Sequence, residues 1–190
     1  MTSPDLTFVL GGARSGKSRH AEQLAQARAA ERALSVTYIA TAREAGDAEF
    51  AARIAQHRAR RPAHWRVVEA GVDLAQAVVE ADDGRTCILL DCLTLWLANV
   101  ICPADGAPSG APSVDYAARA DALESALSRA RGPVIVVSNE IGMGVVPMGA
   151  MTRHYVDELG RLNQRVAAIA QEVTLMVAGL PMTVKSERAR

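Results

Sequence analysis

Leu6-Thr7-Phe8-Val9-Leu10-Gly11-Gly12-Ala13-Arg14-Ser15-Gly16-Lys17-Ser18 is the stretch that decides the fold. Residues 6–10 are a short apolar run ending at glycine, the pattern of a buried strand. From Gly11 the chain reads G-x-x-x-x-G-K-[ST], and Lys17 to Arg32, rich in Ala, Gln, Glu and Leu without Gly or Pro, reads as a helix. Strand, glycine loop and helix in that order are the context in which this motif cradles a polyphosphate. The glycines let the backbone wrap the phosphates, whose charge meets the N–H groups at the helix start. Lys17 then reaches the β- and γ-phosphates, and the Ser18 hydroxyl can ligate Mg²⁺. A glycine-rich turn without a ligand is the alternative, and it is disfavoured because motif and context are both satisfied. The chain is expected to bind nucleoside triphosphate.

Working outward, β-type runs alternate with helical ones. Strands are expected at Ser35 to Ile39, Trp65 to Glu69, Thr86 to Leu90, Pro133 to Ser138 and, as the last, Val173 to Ala178. Helices are expected at Glu44 to Arg60, Val72 to Ala81, Leu93 to Ile101, Tyr116 to Arg131 and Met151 to Gln171. Cys102 to Ser113, with three Pro and two Gly, reads as a loop, and the chain from Lys185 as a polar, frayed tail. Such alternation implies the α/β class: a three-layer, mostly parallel sheet flanked by helices, here a recombinase-like P-loop domain over residues 1–190.

The composition agrees. Of 190 residues, 49% are apolar and 22% charged, enough for one self-sufficient core. Lys and Arg together number 21, as do Asp and Glu, so no basic excess supports a life on nucleic acid. No apolar run is long enough to span a membrane, and the first ten residues lack the features of a signal peptide. Three cysteines, Cys87, Cys92 and Cys102, show neither zinc-site spacing nor a paired framework. A cytoplasmic location with reduced thiols is the expectation.

Two further features bear on chemistry. A phosphate loop needs an acidic partner for its metal at a neighbouring strand end, and Asp91, closing Cys87-Ile88-Leu89-Leu90, is the candidate; a helix N-cap is its alternative role. In Arg53-Ile54-Ala55-Gln56-His57-Arg58-Ala59-Arg60-Arg61-Pro62, helical spacing sets Arg53 and Arg61 four residues either side of His57. Nearby positive charge disfavours the imidazolium, so His57 is expected to stay neutral and nucleophilic, suited to attack on phosphorus. The same arginines can grip phosphate oxygens or meet an acidic patch. Phe50, Ile54 and His57 also share one stripe, so a packed histidine is the competing reading. His20, His64 and His154 carry weaker cases.

Together, GGARSGKSRHAE, RIAQHRARRPAHW, ILLDCLT, SNEIGMGVVP and the run from Arg153 through Arg165 resemble one family, from about Leu6 to Lys185. It is the bifunctional adenosylcobinamide kinase / adenosylcobinamide-phosphate guanylyltransferase of cobalamin biosynthesis. The resemblance implies phosphorylation of the aminopropanol hydroxyl of adenosylcobinamide by ATP or GTP. It then implies attack of a histidine on the α-phosphate of GTP, loss of pyrophosphate and passage of GMP to the cobinamide phosphate. The matching histidine is His57, beside Lys17 as the second catalytic group. Gln56 stands where some members carry another histidine, so no neighbour can replace His57.

The nucleotide contacts implied by position are Gly11, Gly12, Ala13, Arg14, Ser15, Gly16, Lys17, Ser18, Ala40, Thr41, Ala42, Arg58, Ala59, Arg60, Arg61, Glu69 and Asp91, with Ser18 and Asp91 on the metal. Ala40 to Ala42 lie where α/β sheets bind ligands, and the arginines can offset charge as pyrophosphate leaves. Glu69 can accept hydrogen bonds from guanine or ribose, or be a plain surface carboxylate. The Asn139–Gly144 turn, with the helix start at Met151, is expected to help enclose the corrinoid. The resemblance further implies a homo-oligomer, a trimer. Two rival readings remain open from sequence: a small-molecule P-loop kinase without guanylyl transfer, and a non-enzymatic nucleotide-binding switch. A nucleic-acid-binding module using Arg53 to Arg66 ranks with the latter.

Overall fold

The computed structural model describes residues 4–42, 48–101 and 116–187, and within the second helix the side chains of Glu49, Phe50, Arg53 and His57 lie outside the described ones. The loop expected at Cys102 to Ser113 therefore falls outside the description. The elements follow as β1 (Leu6–Gly11), α1 (Lys17–Arg32), β2 (Ser35–Ala40), α2 (Ala48–Arg60), β3 (Arg66–Glu69), α3 (Leu74–Ala81), β4 (Thr86–Asp91), α4 (Leu93–Ile101), α5 (Tyr116–Arg129), β5 (Val134–Asn139), α6 (Ala150–Ile169), β6 (Glu172–Val177) and β7 (Leu180–Ser186).

Among the described residues the strands form one sheet in the order β3-β2-β4-β5-β1-β6-β7. All are parallel except the edge strand β7, which runs antiparallel to β6. Near-continuous apolar runs are what a sheet covered on both faces demands. Phe8, Ile88, Leu90, Val134 and Val136 pack with Leu74, Trp96, Leu123 and Leu162 from α3, α4, α5 and α6. The alternate residues Val9, Leu89, Ile135 and Val137 pack on the other side, with Ala21 and Ala25 of α1 and with Trp65. Three layers result, as the alternation of elements requires.

Several boundaries differ from expectation for local reasons. Residues 44–47 of the expected second helix lie outside the description. The third helix starts at Leu74, with Asp73 as its N-cap residue, and not at Val72. The long helix stops at Ile169 because Ala170 is already extended (φ −72°, ψ 140°) and Glu172 opens β6. The largest correction is at the C-terminus. Val173 to Ala178 is not the last strand, and the residues around Lys185 are not a frayed tail but part of β7. Ala178 (φ 52°) and Gly179 (φ 82°) both take positive φ, the two-residue turn whose twist suits a hairpin. Lys185 Nζ donates to the carbonyls of Ala167 (3.3 Å) and Ala168 (3.0 Å), satisfying the exposed end of α6.

The hairpin also seats the glycine loop. Gly179 N–H donates to the Ser15 carbonyl at 3.1 Å, and Glu140 N–H, leaving β5, donates to the Gly11 carbonyl at 3.1 Å. A Cβ on Gly11 would fall 2.4 Å from Ser15 Oγ and 2.9 Å from the Met176 carbonyl, whereas one on Gly12 would meet nothing within 4 Å. Gly11 is required by close packing; Gly12 is not.

At the opposite end of α1 a charged group is buried. Arg28, 5% exposed, reaches Thr7 Oγ1 and Glu172 Oε2 (2.9 Å), tying the helix to β1 and β6. Asp5 lies 3.6 Å from the same guanidinium and pairs with Arg32 at 2.7 Å. Removing one member of a buried pair leaves the other charge uncompensated, so Arg28→Ala is expected to lose about 3 kcal/mol in urea unfolding. In the same measurement Gly11→Ala is expected to lose about 2 kcal/mol, from overpacking against backbone. Gly12→Ala should stay within about 0.5 kcal/mol of the parent.

Candidate functional site

The carboxyl ends of β1, β2, β4 and β5 come out on one edge, and a cavity of about 460 Å³ opens there. Its floor is the glycine loop. Helix α1 begins at Lys17 after Gly16 (φ 91°), with no side-chain cap and no acidic residue in its first turn. The N-terminal end and positive pole of a 16-residue helix therefore face the cavity without a side-chain cap or an acidic residue in the first turn. Lys17 Nζ curls back to the Gly12 carbonyl at 3.1 Å. Ser15 Oγ is buried and meets no hydrogen-bond partner among the described residues. An uncapped helix start, an orphaned hydroxyl and a close-packed glycine together fit a phosphate chain.

The wall opposite is set by strand register. Ala40 of β2 pairs with Asp91 of β4, so Tyr38, two residues back on the same face, stands beside that carboxylate. The Tyr38 hydroxyl donates to Asp91 Oδ2 at 2.8 Å. Burial, and then the Asp91 charge, push the phenol well above its ordinary range, so it remains a donor at any working pH. The Arg61 guanidinium lies 3.8 Å from the centre of the same ring. Arg58 meets Glu69 at 3.0 Å and Arg60 meets Glu22 of α1 at 3.3 Å. The acidic-patch alternative for these arginines is therefore realised, at two points on different elements. Burial raises the Glu22 carboxyl, against the opposing pull of Arg60.

Of the residues singled out from sequence, Ala13, Arg14, Ser15, Gly16, Lys17, Ser18, Ala40, Ala42, Arg58, Arg60, Arg61, Glu69 and Asp91 line the cavity. Gly11, Gly12, Thr41 and Ala59 are not among its lining residues. Thr41 is buried and braces the strand ends: its hydroxyl donates to the Cys92 carbonyl (2.7 Å) and accepts the Cys92 N–H (2.9 Å). The His57 side chain lies outside the described residues; its backbone belongs to α2, between Gln56 and Arg58, which both line the cavity. His20 is partly buried and its pKa is lowered by that burial, while His64 and His154 are exposed.

Sequence reasoning missed Arg19, Tyr38, Cys92, Leu95 and, as cavity residues, Ile54, Gln56 and Asn139. Asn139 closes β5, so the rule that ligands gather at carboxyl strand ends was a usable signal. Its backbone is held on both sides, the N–H by Thr94 Oγ1 (2.8 Å) and the carbonyl by Asn163 Nδ2 (3.0 Å). Tyr38 offered no such signal, because only the register of β2 on β4 sets it against Asp91.

A divalent metal would find hard oxygen donors here, the Ser18 hydroxyl and the Asp91 carboxylate, with the remainder supplied by phosphate and water. Among the described residues no group of three or more His, Cys, Asp or Glu is placed to hold a metal alone. That suits an ion that arrives with a nucleotide.

Comparison with known proteins agrees with this geometry. In the solved structure of the flagellar accessory protein FlaH from Methanocaldococcus jannaschii, the same fold recurs with a TM-score of 0.52 and 14% identity, covering 97% of this chain and 80% of that one. The bifunctional adenosylcobalamin biosynthesis protein CobP of Pseudomonas aeruginosa is 52% identical over 181 residues, 95% of this chain and 97% of its own length. The corresponding CobU proteins of Salmonella typhimurium and Escherichia coli are 41% and 38% identical, each over 95% of this chain and 99% of their own length. Residues 7–184 match the family model described as cobinamide kinase / cobinamide phosphate guanyltransferase. The chain belongs to that family.

Proposed function

We propose that this protein phosphorylates the aminopropanol hydroxyl of adenosylcobinamide and then transfers GMP from GTP to the product through His57. The observation that carries this reading is a single cavity holding a phosphate loop, a strand-end carboxylate and one arginine-bearing helix. In the first step the hydroxyl oxygen bonds to the γ-phosphorus of ATP or GTP while the bond to the β-phosphate oxygen breaks, and the hydroxyl proton is lost to solvent. Lys17 and the open N-terminus of α1 take up the charge that develops on the leaving diphosphate. Mg²⁺, if bound, would neutralise part of the phosphate charge, with Ser18 and Asp91 as the protein groups that would hold it.

In the second step a ring nitrogen of His57 bonds to the α-phosphorus of GTP, the bond to the β-phosphate breaks and pyrophosphate leaves. The ring proton is lost to solvent. The cobinamide phosphate oxygen then takes the guanylyl group and His57 is released. Arg61, stacked on Tyr38, is placed to face departing pyrophosphate, while Arg58 and Arg60 fasten α2 through Glu69 and Glu22.

The corrinoid is assigned to the segment after Asn139. Met143, Val145, Val146 and Met148 are exposed in that segment, which follows the cavity residue Asn139 in the chain, and a broad apolar ligand would cover them. A trimeric assembly is proposed on a different patch: Val177, Leu180 and Met182 are exposed on one face of the β6–β7 hairpin. A cytoplasmic location is proposed, as for a biosynthetic enzyme; no helix among the described residues is long and apolar enough to cross a membrane.

Two measurements test the scheme. Incubation with Mg²⁺ and GTP labelled at the α-phosphate, without corrinoid, should give an acid-labile, alkali-stable adduct. It should be absent from His57→Ala, whose kinase turnover stays within about threefold because the histidine acts only in the second step. A wild-type protein that binds GTP but forms no adduct would move the kinase-only reading into first place. The Glu140 side chain folds the turn by accepting the Gly142 N–H at 2.7 Å. Calorimetry on Glu140→Ala should show cobinamide-phosphate binding weakened about tenfold or more, with GTP affinity unchanged.

A further inference from the structure

Tyr38 has no part in the reaction as written, yet its side chain touches both charged walls of the cavity. Its hydroxyl holds one oxygen of Asp91, and its ring face carries the Arg61 guanidinium. It is 2% exposed and fixed in the middle of β2, between β3 and β4, so it cannot follow either partner if that partner moves. Arg58 and Arg60 meet carboxylates, which neutralise them. Arg61 makes no close ion pair among the described residues, although its charge is felt by the Glu22 carboxyl, and its Nε is buried without a hydrogen-bond partner. An aromatic face holds a cation in place without cancelling its charge.

We propose that Tyr38 is a positioning residue with two separable jobs, aiming Asp91 toward a nucleotide-bound cation through its hydroxyl and holding Arg61 ready for phosphate through its ring. Resting on the reading of the cavity as a nucleoside triphosphate site, it extends that reading to a residue that touches no substrate. An aspartate at the end of a strand has two free side-chain torsions, and one fixed oxygen restricts them to a single orientation. An arginine on a rigid ring loses less freedom when it meets an anion than one extended into water. The two sides of the cavity are thereby tied to one buried strand position, while Arg58 and Arg60 of α2 pair with Glu69 and Glu22.

The test is direct binding of a fluorescent GTP analogue to the full-length protein, titrated with Mg²⁺ and repeated in chelator. Tyr38→Phe keeps the ring and removes the hydroxyl. Its affinity in chelator is expected to match wild type within about twofold, while the Mg²⁺ concentration at half-effect rises about tenfold. Arg61→Met removes the cation and leaves the tyrosine; it should lose about tenfold in affinity with and without Mg²⁺, and keep the wild-type Mg²⁺ midpoint. Tyr38→Leu should show both losses, and far-UV circular dichroism of each variant establishes that it is folded. Should Tyr38→Leu not fold, the Phe and Met variants alone separate the two jobs.

An unchanged Mg²⁺ midpoint in Tyr38→Phe overturns the proposal, as does an equal loss in both conditions, which is what a merely structural role would give. A wild-type protein that binds no GTP analogue overturns the nucleotide-site reading beneath it, and this outcome is distinct from the other two.

Discussion

The molecule depends on how closely its glycine loop can settle onto the end of β1. Gly11 packs so near Ser15 Oγ and the Met176 carbonyl that no side chain fits. Hydrogen bonds from Glu140 and Gly179 then pin the loop between the exit of β5 and the turn of the β6–β7 hairpin. Only in that position does α1 start with its uncapped N–H groups directed at the cavity. The central place of β1 in the sheet serves this constraint. Its neighbours β5 and β6 supply both clamps.

Charge is distributed around the cavity by pairing rather than by number. The chain is neutral overall, yet three arginines of one short segment line the same pocket. Two of them are tied to carboxylates on α1 and β3, and such exposed pairs contribute little to stability. Their effect is geometric, since each fixes one point of α2 against the body of the protein. Arg28 is the contrast: buried among Thr7, Glu172 and Asp5, it welds the far end of α1 to β1 and β6, remote from the cavity. Rigid attachment lies at the closed end of the sheet and adjustable attachment at the open end, a division suited to a site that must admit a large substrate.

The difference between expectation and outcome has a consistent physical basis. Helices α1 and α4 were legible to the residue, because helix propensity and the flanking glycine, aspartate and proline-rich signals act locally. Strand β7 was not. Leu180 to Ser186 carries Pro181 and a polar end, and becomes a strand only through pairing with β6 and through Lys185 capping α6. Proline is tolerated there because β7 is an edge strand. Thr41 was read as a nucleotide contact from its place in the chain; its hydroxyl braces Cys92, an arrangement that requires β2 and β4 to be neighbours and that the sequence did not reveal.

By itself the sequence determined the α/β class, the glycine loop with its helix and the family, because those signals lie in short motifs of local chemistry, while for Asp91 it left a metal role and a helix cap both open. The tertiary structure alone decided which groups meet. The register of β2 on β4 set Tyr38 against Asp91, the approach of α2 laid Arg61 on that ring, and the β6–β7 turn came to rest under Ser15. Contacts between residues tens of positions apart depend on strand order, register and helix packing. A single sequence carries those only through the summed burial of its core, not through any motif.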